Sequence, residues 1–181
     1  MRDTALWLFA DAPLVSEPRG RTWWPTDSEA RIRALASGPM DLSAMDPAGR
    51  SAARRGLGAL LAALPADRPI VLAGFSQGGM LAMDYALHAA EAGTRAPTAL
   101  ALLSSTRIAL ADWTARAAAL AGRRVLVAHG RADRELAFEA GEALRDFAIA
   151  AGADVTWLPF EGGHELPFVV WRALKKLVRS C

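Results

Sequence analysis

The sequence predicts a single α/β domain, built on a mostly parallel sheet with helices on both of its faces. Short apolar runs alternate with longer amphipathic runs, which is the pattern of strands joined by helical crossovers. The short runs are apolar along nearly their whole length, as strands covered on both faces are. The chain has 181 residues, of which 52% are hydrophobic, enough for one sizeable core. We therefore expect residues 1–181 to form one domain.

Five apolar runs predict the strands of this sheet. Each run is six residues long, and turn or charged residues bound it. The predicted strands are residues 5–10, 70–75, 99–104, 124–129 and 154–159.

Capping signals predict the helices between these strands. Asp46 followed by Pro47 is typical of an N-cap and first helical residue, and Pro65 ends that helix near residue 64. Gly93 and Gly152 stand where helices are expected to stop. The remaining predicted helices are residues 78–91, 111–121, 134–151 and 166–178.

Residues 13–45 interrupt the alternation. They hold four prolines, two glycines and the pair Trp23-Trp24, with no clean periodicity. Segments of this length inside a compact domain are often functional covers rather than connectors. We expect residues 13–45 to form a cover or pocket loop.

Composition excludes several classes of function. The 21 Lys and Arg against 19 Asp and Glu give a net charge of +2, spread along the chain, which argues against a nucleic-acid partner. Cys181 is the only cysteine, so no intrachain disulfide forms, and a cytoplasmic location fits. Three scattered histidines offer no metal-ligand spacing. The apolar run 5–10 is too short for a signal peptide or membrane span, so we expect no stable membrane insertion.

A Gly-x-Ser-x-Gly motif, Gly74-Phe75-Ser76-Gln77-Gly78, lies where a predicted strand meets a predicted helix. In that context the serine occupies a sharp, strained turn at the top of the sheet, with a helix N-terminus behind it. We expect both glycines to be required because a Cβ at either would collide with the neighbouring strand or helix. A serine hydroxyl is a weak nucleophile, so the motif also requires a histidine base and an orienting carboxylate.

Asp133 and His164 each follow a predicted strand, in the segments His129–Asp133 and Gly162–Glu165. Parallel strands end at the same edge of the sheet, so these loops and the Ser76 turn can converge. The order Ser, Asp, His is the order of the α/β-hydrolase fold.

These motifs resemble the carboxylesterase/phospholipase family, which includes the acyl-protein thioesterases. The resemblance rests on Gly-Phe-Ser-Gln-Gly-Gly-Met at 74–80, His-Gly-Arg-Ala-Asp at 129–133 and Gly-Gly-His-Glu at 162–165. Asp-Ala-Pro at 11–13 and Trp-Trp-Pro at 23–25 extend it over nearly the whole chain. It implies that Ser76 is the nucleophile, Asp133 the acid and His164 the base, with the Gln77 backbone N–H as one oxyanion donor.

One family feature is missing. Family members carry, ahead of their Asp-Ala-Pro segment, a strand ending in a His-Gly loop whose backbone supplies the other oxyanion N–H. The only His-Gly pair here, His129-Gly130, belongs to the acid loop. The resemblance therefore implies an N-terminally shortened fold with weakened esterase activity. We expect residues 5–10 to present an apolar sheet edge that favours a homodimer.

Each candidate residue also has a structural interpretation. Ser76 can be a plain strand-to-helix turn, and Asp133 can cap the helix predicted from residue 134. His88 lies within a predicted helix, and His129 is expected to hydrogen-bond the loop that presents Asp133.

For the pocket, Trp23, Trp24 and Met80 are candidates to shape an acyl site behind Ser76, although large aromatic residues are commonly core residues.

The sequence therefore favours a serine hydrolase that cleaves carboxylic esters or thioesters of small to medium acyl groups without a cofactor. The alternative is a non-catalytic or weakly active hydrolase-like protein that binds a ligand or partner. A dienelactone-hydrolase-like enzyme is disfavoured because its nucleophile is cysteine, and position 76 is serine.

Overall fold

The computed structural model describes residues 5–16 and 20–181 and has the predicted α/β architecture. The strands are β1 (Leu14–Ser16), β2 (Gly20–Thr22), β3 (Val71–Phe75), β4 (Ala99–Leu103), β5 (Arg124–Gly130) and β6 (Asp154–Phe160). The helices are α1 (Ser28–Ala36), α2 (Arg50–Ala62), α3 (Gln77–His88), α4 (Leu110–Ala115), α5 (Phe138–Ala150) and α6 (Phe168–Arg179), with a 3₁₀ turn at Ala117–Leu120.

The central sheet has the order β3-β4-β5-β6, and all its strands run parallel. Phe75 pairs with Leu103, and Gly130 pairs with Phe160, so the strands end in register. The loops after β3, β5 and β6 therefore leave the sheet at one edge, where α/β proteins place their sites.

Helices cover both faces of the sheet, as predicted. Leu100 and Leu102 point into the larger core, formed with α2, α3 and α5. Ala101 and Leu103 point to the opposite face, where Val170 and Leu174 of α6 cover them along with other apolar residues. This alternation follows from the two-residue period of a strand.

The prediction of a strand at residues 5–10 is wrong. These residues form no helix or strand, and all six are exposed. A strand requires a neighbouring backbone to bond with, and no described strand pairs with residues 5–10 or with the outer edge of β3. β3 is consequently an edge strand, and its burial is much less complete than that of β4.

Residues 13–45 are more regular than the sequence suggested. They contain the antiparallel pair β1–β2 and the helix α1, whose N-cap Asp27 accepts a hydrogen bond from the Ala30 N–H. Strands of three residues are too short to show a hydrophobic periodicity. Helix α1 is largely exposed, so it has no apolar face that the sequence could reveal. The segment then joins the loop after β5, since Met40 pairs with Leu136 in an isolated bridge.

Three helices begin later than predicted, α6 by two residues and α2 and α5 by more. α2 begins at Arg50, because Asp46-Pro47 opens a turn closed by the Arg50 N–H on the Pro47 carbonyl. α5 begins at Phe138 rather than at residue 134, because residues 133–136 form a turn around the Asp133 side chain. The helix predicted at 111–121 is split between α4 and the 3₁₀ turn.

A buried carboxylate, Asp84, ties α2, α3 and α4 together. It is fully buried and accepts hydrogen bonds from Arg50, from Arg54 at 2.7 Å and from the Trp113 indole at 2.9 Å. Arg50 also donates to Asp112 at 2.7 Å. Burial works to lower the pKa of Arg50, but its bonds to Asp112 and Asp84 outweigh burial and raise that pKa. The guanidinium thus stays charged inside the fold.

The same cluster includes His88, whose Nε2 lies 3.2 Å from an Asp112 oxygen. Side-chain atoms of Asp84, His88 and Asp112 lie within 4.8 Å of one another, a spacing that metal ligands also show. Arg50 donates to both carboxylates and so occupies the position between them. We interpret the cluster as an ion-pair network.

We predict that Asp84→Ala lowers the free energy of unfolding by about 3–5 kcal/mol, because it removes the buried acceptor that Arg50, Arg54 and the Trp113 indole share. The matched control is Asp146→Ala, which removes an exposed carboxylate paired with Arg145 and should cost at most about 1 kcal/mol. Urea unfolding monitored by circular dichroism measures both. Equal losses for the two variants would contradict the role given to Asp84.

Candidate active site

Ser76 lies between β3 and α3 in a strained backbone conformation. Its φ of 52° and ψ of −120° are rare for a residue with a side chain. The Ser76 N–H donates to the Leu103 carbonyl at 2.8 Å, and the Ser76 carbonyl accepts from the Ser105 hydroxyl at 3.0 Å. Bonds from the neighbouring strand and its loop therefore hold the strained turn in place.

Two glycines make this turn sterically feasible, and one of them is not the glycine that the motif predicts. A Cβ at Gly74 would collide with the backbone of Gly78, as expected. A Cβ at Gly78 would meet only the Trp23 indole, at an ordinary 3.8 Å, so the expectation that Gly78 is crowded is wrong. The second crowded position is Gly79, where a Cβ would lie 2.7 Å from Ser105.

The N-terminus of α3 supplies hydrogen-bond donors next to Ser76. Among the residues that the structure describes, the backbone N–H groups of Gln77 and Gly78 have no hydrogen-bond partner. Free N–H groups at a helix N-terminus stabilise negative charge. The position predicted for an oxyanion donor, Gln77, therefore has an available N–H.

Asp133 holds His164 and its own loop at the same time. One oxygen, Oδ2, accepts from His164 Nδ1 at 2.8 Å. The other, Oδ1, accepts from the N–H groups of Glu135 at 2.8 Å and Leu136 at 3.0 Å. Asp133 therefore caps a turn, but it does not cap α5, whose N-cap is Ala137.

Asp133 is ionised at neutral pH despite its burial. Burial alone would raise the pKa of Asp133, but the hydrogen bonds from His164, Leu136 and Glu135 outweigh it and hold that pKa below its ordinary value. The bond to Asp133 also assigns the His164 proton to Nδ1 and leaves Nε2 as the basic nitrogen.

His129 supports this loop, as the sequence predicted. Its Nε2 lies 3.1 Å from the Leu136 carbonyl, to which it donates, and burial lowers the pKa of His129. The neutral ring carries one proton, which this bond uses. His129 Nδ1 is buried without a hydrogen-bond partner, consistent with the unprotonated nitrogen.

The structure places His164 beside the Ser76 turn. The His164 ring lies 4.7 Å from the ring of Phe75, centroid to centroid. His164 Nε2 is 3.7 Å from Glu135 Oε2, and the hydrogen bonds of the described residues include none between Ser76 and His164. The fold thus joins the predicted acid and base and sets them next to the predicted nucleophile.

The Gln77 side chain has a role that the sequence did not reveal. Its Oε1 accepts from the Trp23 N–H at 2.7 Å and from the Thr22 hydroxyl at 2.8 Å. The Trp23 N–H can only donate, which fixes the orientation of the amide. Gln77 therefore ties the segment after β2 to the first residue of α3.

Of the three predicted pocket residues, Trp23 borders a cavity. It is half-buried and lines an apolar space of about 180 Å³ between the β1–β2 pair and α2. Trp24 and Met80 lie in the larger core, only 1% and 4% exposed. The other lining residues of the cavity are Pro13, Leu14, Pro25, Gly49, Ala52, Ala53 and Gly56.

The parallel sheet, the strained serine turn and the acid and histidine loops at one edge define an α/β-hydrolase fold. The profile of the phospholipase/carboxylesterase family matches residues 57–181, and the chain belongs to that family. Family membership makes it an esterase-type or thioesterase-type hydrolase by class.

Solved structures share the fold. A single-residue variant of SOBER1 from Arabidopsis thaliana superposes with a TM-score of 0.74 at 22% identity, over 96% of this chain and 82% of its own. Esterase PE8 superposes with a TM-score of 0.72 at 25% identity, over 94% of this chain and 75% of its own. Acyl-protein thioesterase 2 from Zea mays superposes with a TM-score of 0.62 at 21% identity, over 78% of this chain and 69% of its own. No curated protein matches the sequence.

In the described part of the chain, no helix combines the length and apolar character needed to cross a membrane.

The two glycines after Ser76 give a matched pair of variants. We predict that Gly79→Ala destabilises the protein by about 1–3 kcal/mol, because the new Cβ overlaps Ser105. Gly78→Ala should be neutral or stabilising by up to about 1 kcal/mol, because its Cβ has room and alanine favours the helix. Thermal unfolding compares them, and a larger loss for Gly78→Ala would contradict the packing of this turn.

Proposed function

We propose that this protein is a serine hydrolase that cleaves carboxylic esters or thioesters of small to medium acyl groups, with Ser76 as nucleophile, His164 as base and Asp133 as acid. The observation that carries the proposal is the 2.8 Å bond between buried Asp133 and His164, next to the strained Ser76. Family membership supports the reaction class. The substrate is a small-molecule acyl ester or thioester.

In the acylation step, Ser76 Oγ attacks the acyl carbonyl carbon while His164 Nε2 takes the hydroxyl proton. The bond from that carbon to the leaving oxygen or sulfur then breaks, and His164 returns the proton to the departing alcohol or thiol. This transfer requires Oγ and Nε2 to come within about 3 Å. We propose that rotation of the serine or histidine side chain brings the two atoms together.

In the deacylation step, water replaces the leaving group. His164 takes a proton from the water, which attacks the acyl-serine, and the acid leaves as the proton returns to Ser76 Oγ. Asp133 remains ionised and stabilises the imidazolium that forms in each step. The Gln77 N–H stabilises the negative oxygen of each tetrahedral intermediate. The two steps together consume only the ester or thioester and one water molecule, so the proposal invokes no cofactor.

The cavity beside Trp23 suits a short acyl chain. Its volume of about 180 Å³ is close to the roughly 150 Å³ of an apolar protein cavity that binds benzene. Trp23 lines the cavity and also lies beside the residues that follow Ser76, because its indole faces Gly78 and its N–H bonds to Gln77. We assign this space to the acyl group.

We predict that Ser76→Ala lowers kcat for p-nitrophenyl acetate by about 10⁴-fold or more while the protein stays folded. Asp133→Asn should lower kcat by about 10⁴-fold, because the amide favours the wrong histidine tautomer. The control is Ser51→Ala, an exposed serine of α2, which should keep full activity. Retained turnover in Ser76→Ala would refute the assignment of the nucleophile.

A weakly active or purely binding protein is the second candidate. It is favoured by one observation, the lack of a hydrogen bond between Ser76 and His164 in the described structure. A fluorophosphonate probe together with the p-nitrophenyl ester assay separates the two candidates. Labelling with turnover supports the enzyme, and labelling with negligible turnover supports the second candidate.

We also propose that residues 5–10 form the interface of a homodimer. Their large apolar side chains are strongly exposed, with fractions of 80% for Leu6, 41% for Trp7, 60% for Leu8 and 80% for Phe9. Side chains of this size expose roughly 500 Å² per copy. Two copies therefore supply the roughly 1,000 Å² that a specific interface needs. The outer edge of β3, which pairs with no strand of the described residues, offers further backbone groups to a second copy.

The dimer is tested by light scattering coupled to size-exclusion chromatography. We expect the wild type to be a dimer at micromolar concentration and the variant Leu6→Ser/Phe9→Ser to be a monomer. Ile149→Ser, which changes an exposed apolar residue of α5, serves as the control and should remain dimeric. A monomeric wild type would rule the interface out.

We place the enzyme in the cytoplasm, where a lone exposed thiol such as Cys181 stays reduced. Recovery of the protein in a secreted fraction would contradict this.

A further inference from the structure

Glu135, two residues after the proposed acid, is held in place by two backbone hydrogen bonds and a side-chain ion pair. Its N–H donates to Asp133 Oδ1 at 2.8 Å, and its carbonyl accepts from the Met40 N–H at 3.0 Å. Its carboxylate forms an ion pair with Arg31 of α1. Glu135 therefore links the cover segment to the loop that carries Asp133.

The Glu135 carboxylate also lies next to the reactive nitrogen of His164, with 3.7 Å between Oε2 and Nε2. In the proposed mechanism, Nε2 delivers a proton to the leaving group, so the leaving oxygen or sulfur sits within hydrogen-bond distance of that nitrogen. A carboxylate this close to Nε2 is therefore also close to the leaving group. Since the proposed function assigns the acyl chain to the Trp23 cavity, we assign Glu135 to the leaving-group side of the site.

The ion pair between Glu135 and Arg31 is weak enough for a cationic group of the substrate to displace Arg31. The two side chains are 37% and 47% exposed, and ion pairs at such exposure contribute little to stability. A substrate cation that reaches Glu135 can take the place of Arg31 at small cost. Arg31 lies on a surface helix that is largely exposed, so its side chain can turn to solvent.

We propose that Glu135 determines leaving-group specificity, selecting esters and thioesters whose leaving group carries a positive charge, and that Arg31 competes with that charge. This inference rests on the proposed function of Ser76, His164 and Asp133. It adds a substrate class, namely acyl esters or thioesters of cationic alcohols or thiols.

The test compares two acetate esters that differ in one atom. Acetylcholine and 3,3-dimethylbutyl acetate share the acyl group and the shape of the leaving group, but only acetylcholine is charged. We expect Glu135→Gln to lower kcat/KM for acetylcholine about three- to fivefold, the size of a partly exposed ion pair. The neutral ester should change by less than about twofold. Glu161→Gln, which alters an exposed carboxylate paired with Arg131, is the control and should leave the ratio unchanged.

Substitutions on α1 test whether Arg31 competes with the charge of the substrate. Arg31→Gln should raise kcat/KM for acetylcholine about two- to threefold, with little change for the neutral ester. Arg33→Gln, on the same helix and paired with exposed Glu29, should change neither rate. Where turnover is too slow to follow, phosphonate inhibitors with the same two leaving groups give the comparison through the rate of Ser76 modification.

Equal loss on both esters in Glu135→Gln would overturn the inference and show that the ion pair with Arg31 only holds the cover segment. Faster cleavage of an anionic ester, lost in Arg31→Gln, would overturn it as well. Hydrolysis of p-nitrophenyl acetate that depends on Ser76 would leave the proposed function standing in both cases. Failure of every ester and phosphonate to react at Ser76 would refute both proposals.

Discussion

The buried carboxylate of Asp133 is the interaction on which the site depends. One of its oxygens orients His164, and the other closes the turn that fixes Glu135 and Leu136. Because the hydrogen bonds outweigh the cost of burial, the group keeps its charge. The bond that orients His164 and the bonds that shape the turn at residues 133–136 thus belong to one residue, and the turn cannot rearrange without releasing His164.

The serine side of the site is held by backbone packing. Close contact of Gly74 and Gly79 with their neighbours allows the turn, and bonds to Leu103 and from Ser105 maintain the strain at Ser76. The Gln77 amide then connects this turn to the segment after β2. One edge of the sheet therefore presents a rigid serine turn, and residues 13–45 are bonded to this turn and to the loop that carries Asp133.

Much of this arrangement was predictable from the sequence because it follows from local rules. Apolar runs predicted the four parallel strands, and the positions of Ser76, Asp133 and His164 just after strands indicated which loops meet. Residues 5–10 have the same apolar character, yet they form no strand, since pairing depends on a partner and not on composition. The Asp84 network, the Gln77 side-chain bonds and the Arg31–Glu135 pair join residues distant in sequence, and no spacing rule reveals such contacts.

The most direct test of the account is to map the site of fluorophosphonate modification by mass spectrometry of the digested protein. The account predicts one adduct, on Ser76, which forms far more slowly in Asp133→Asn than in the wild type. An adduct on another serine, such as Ser105, or no adduct at all on the folded protein, would contradict it.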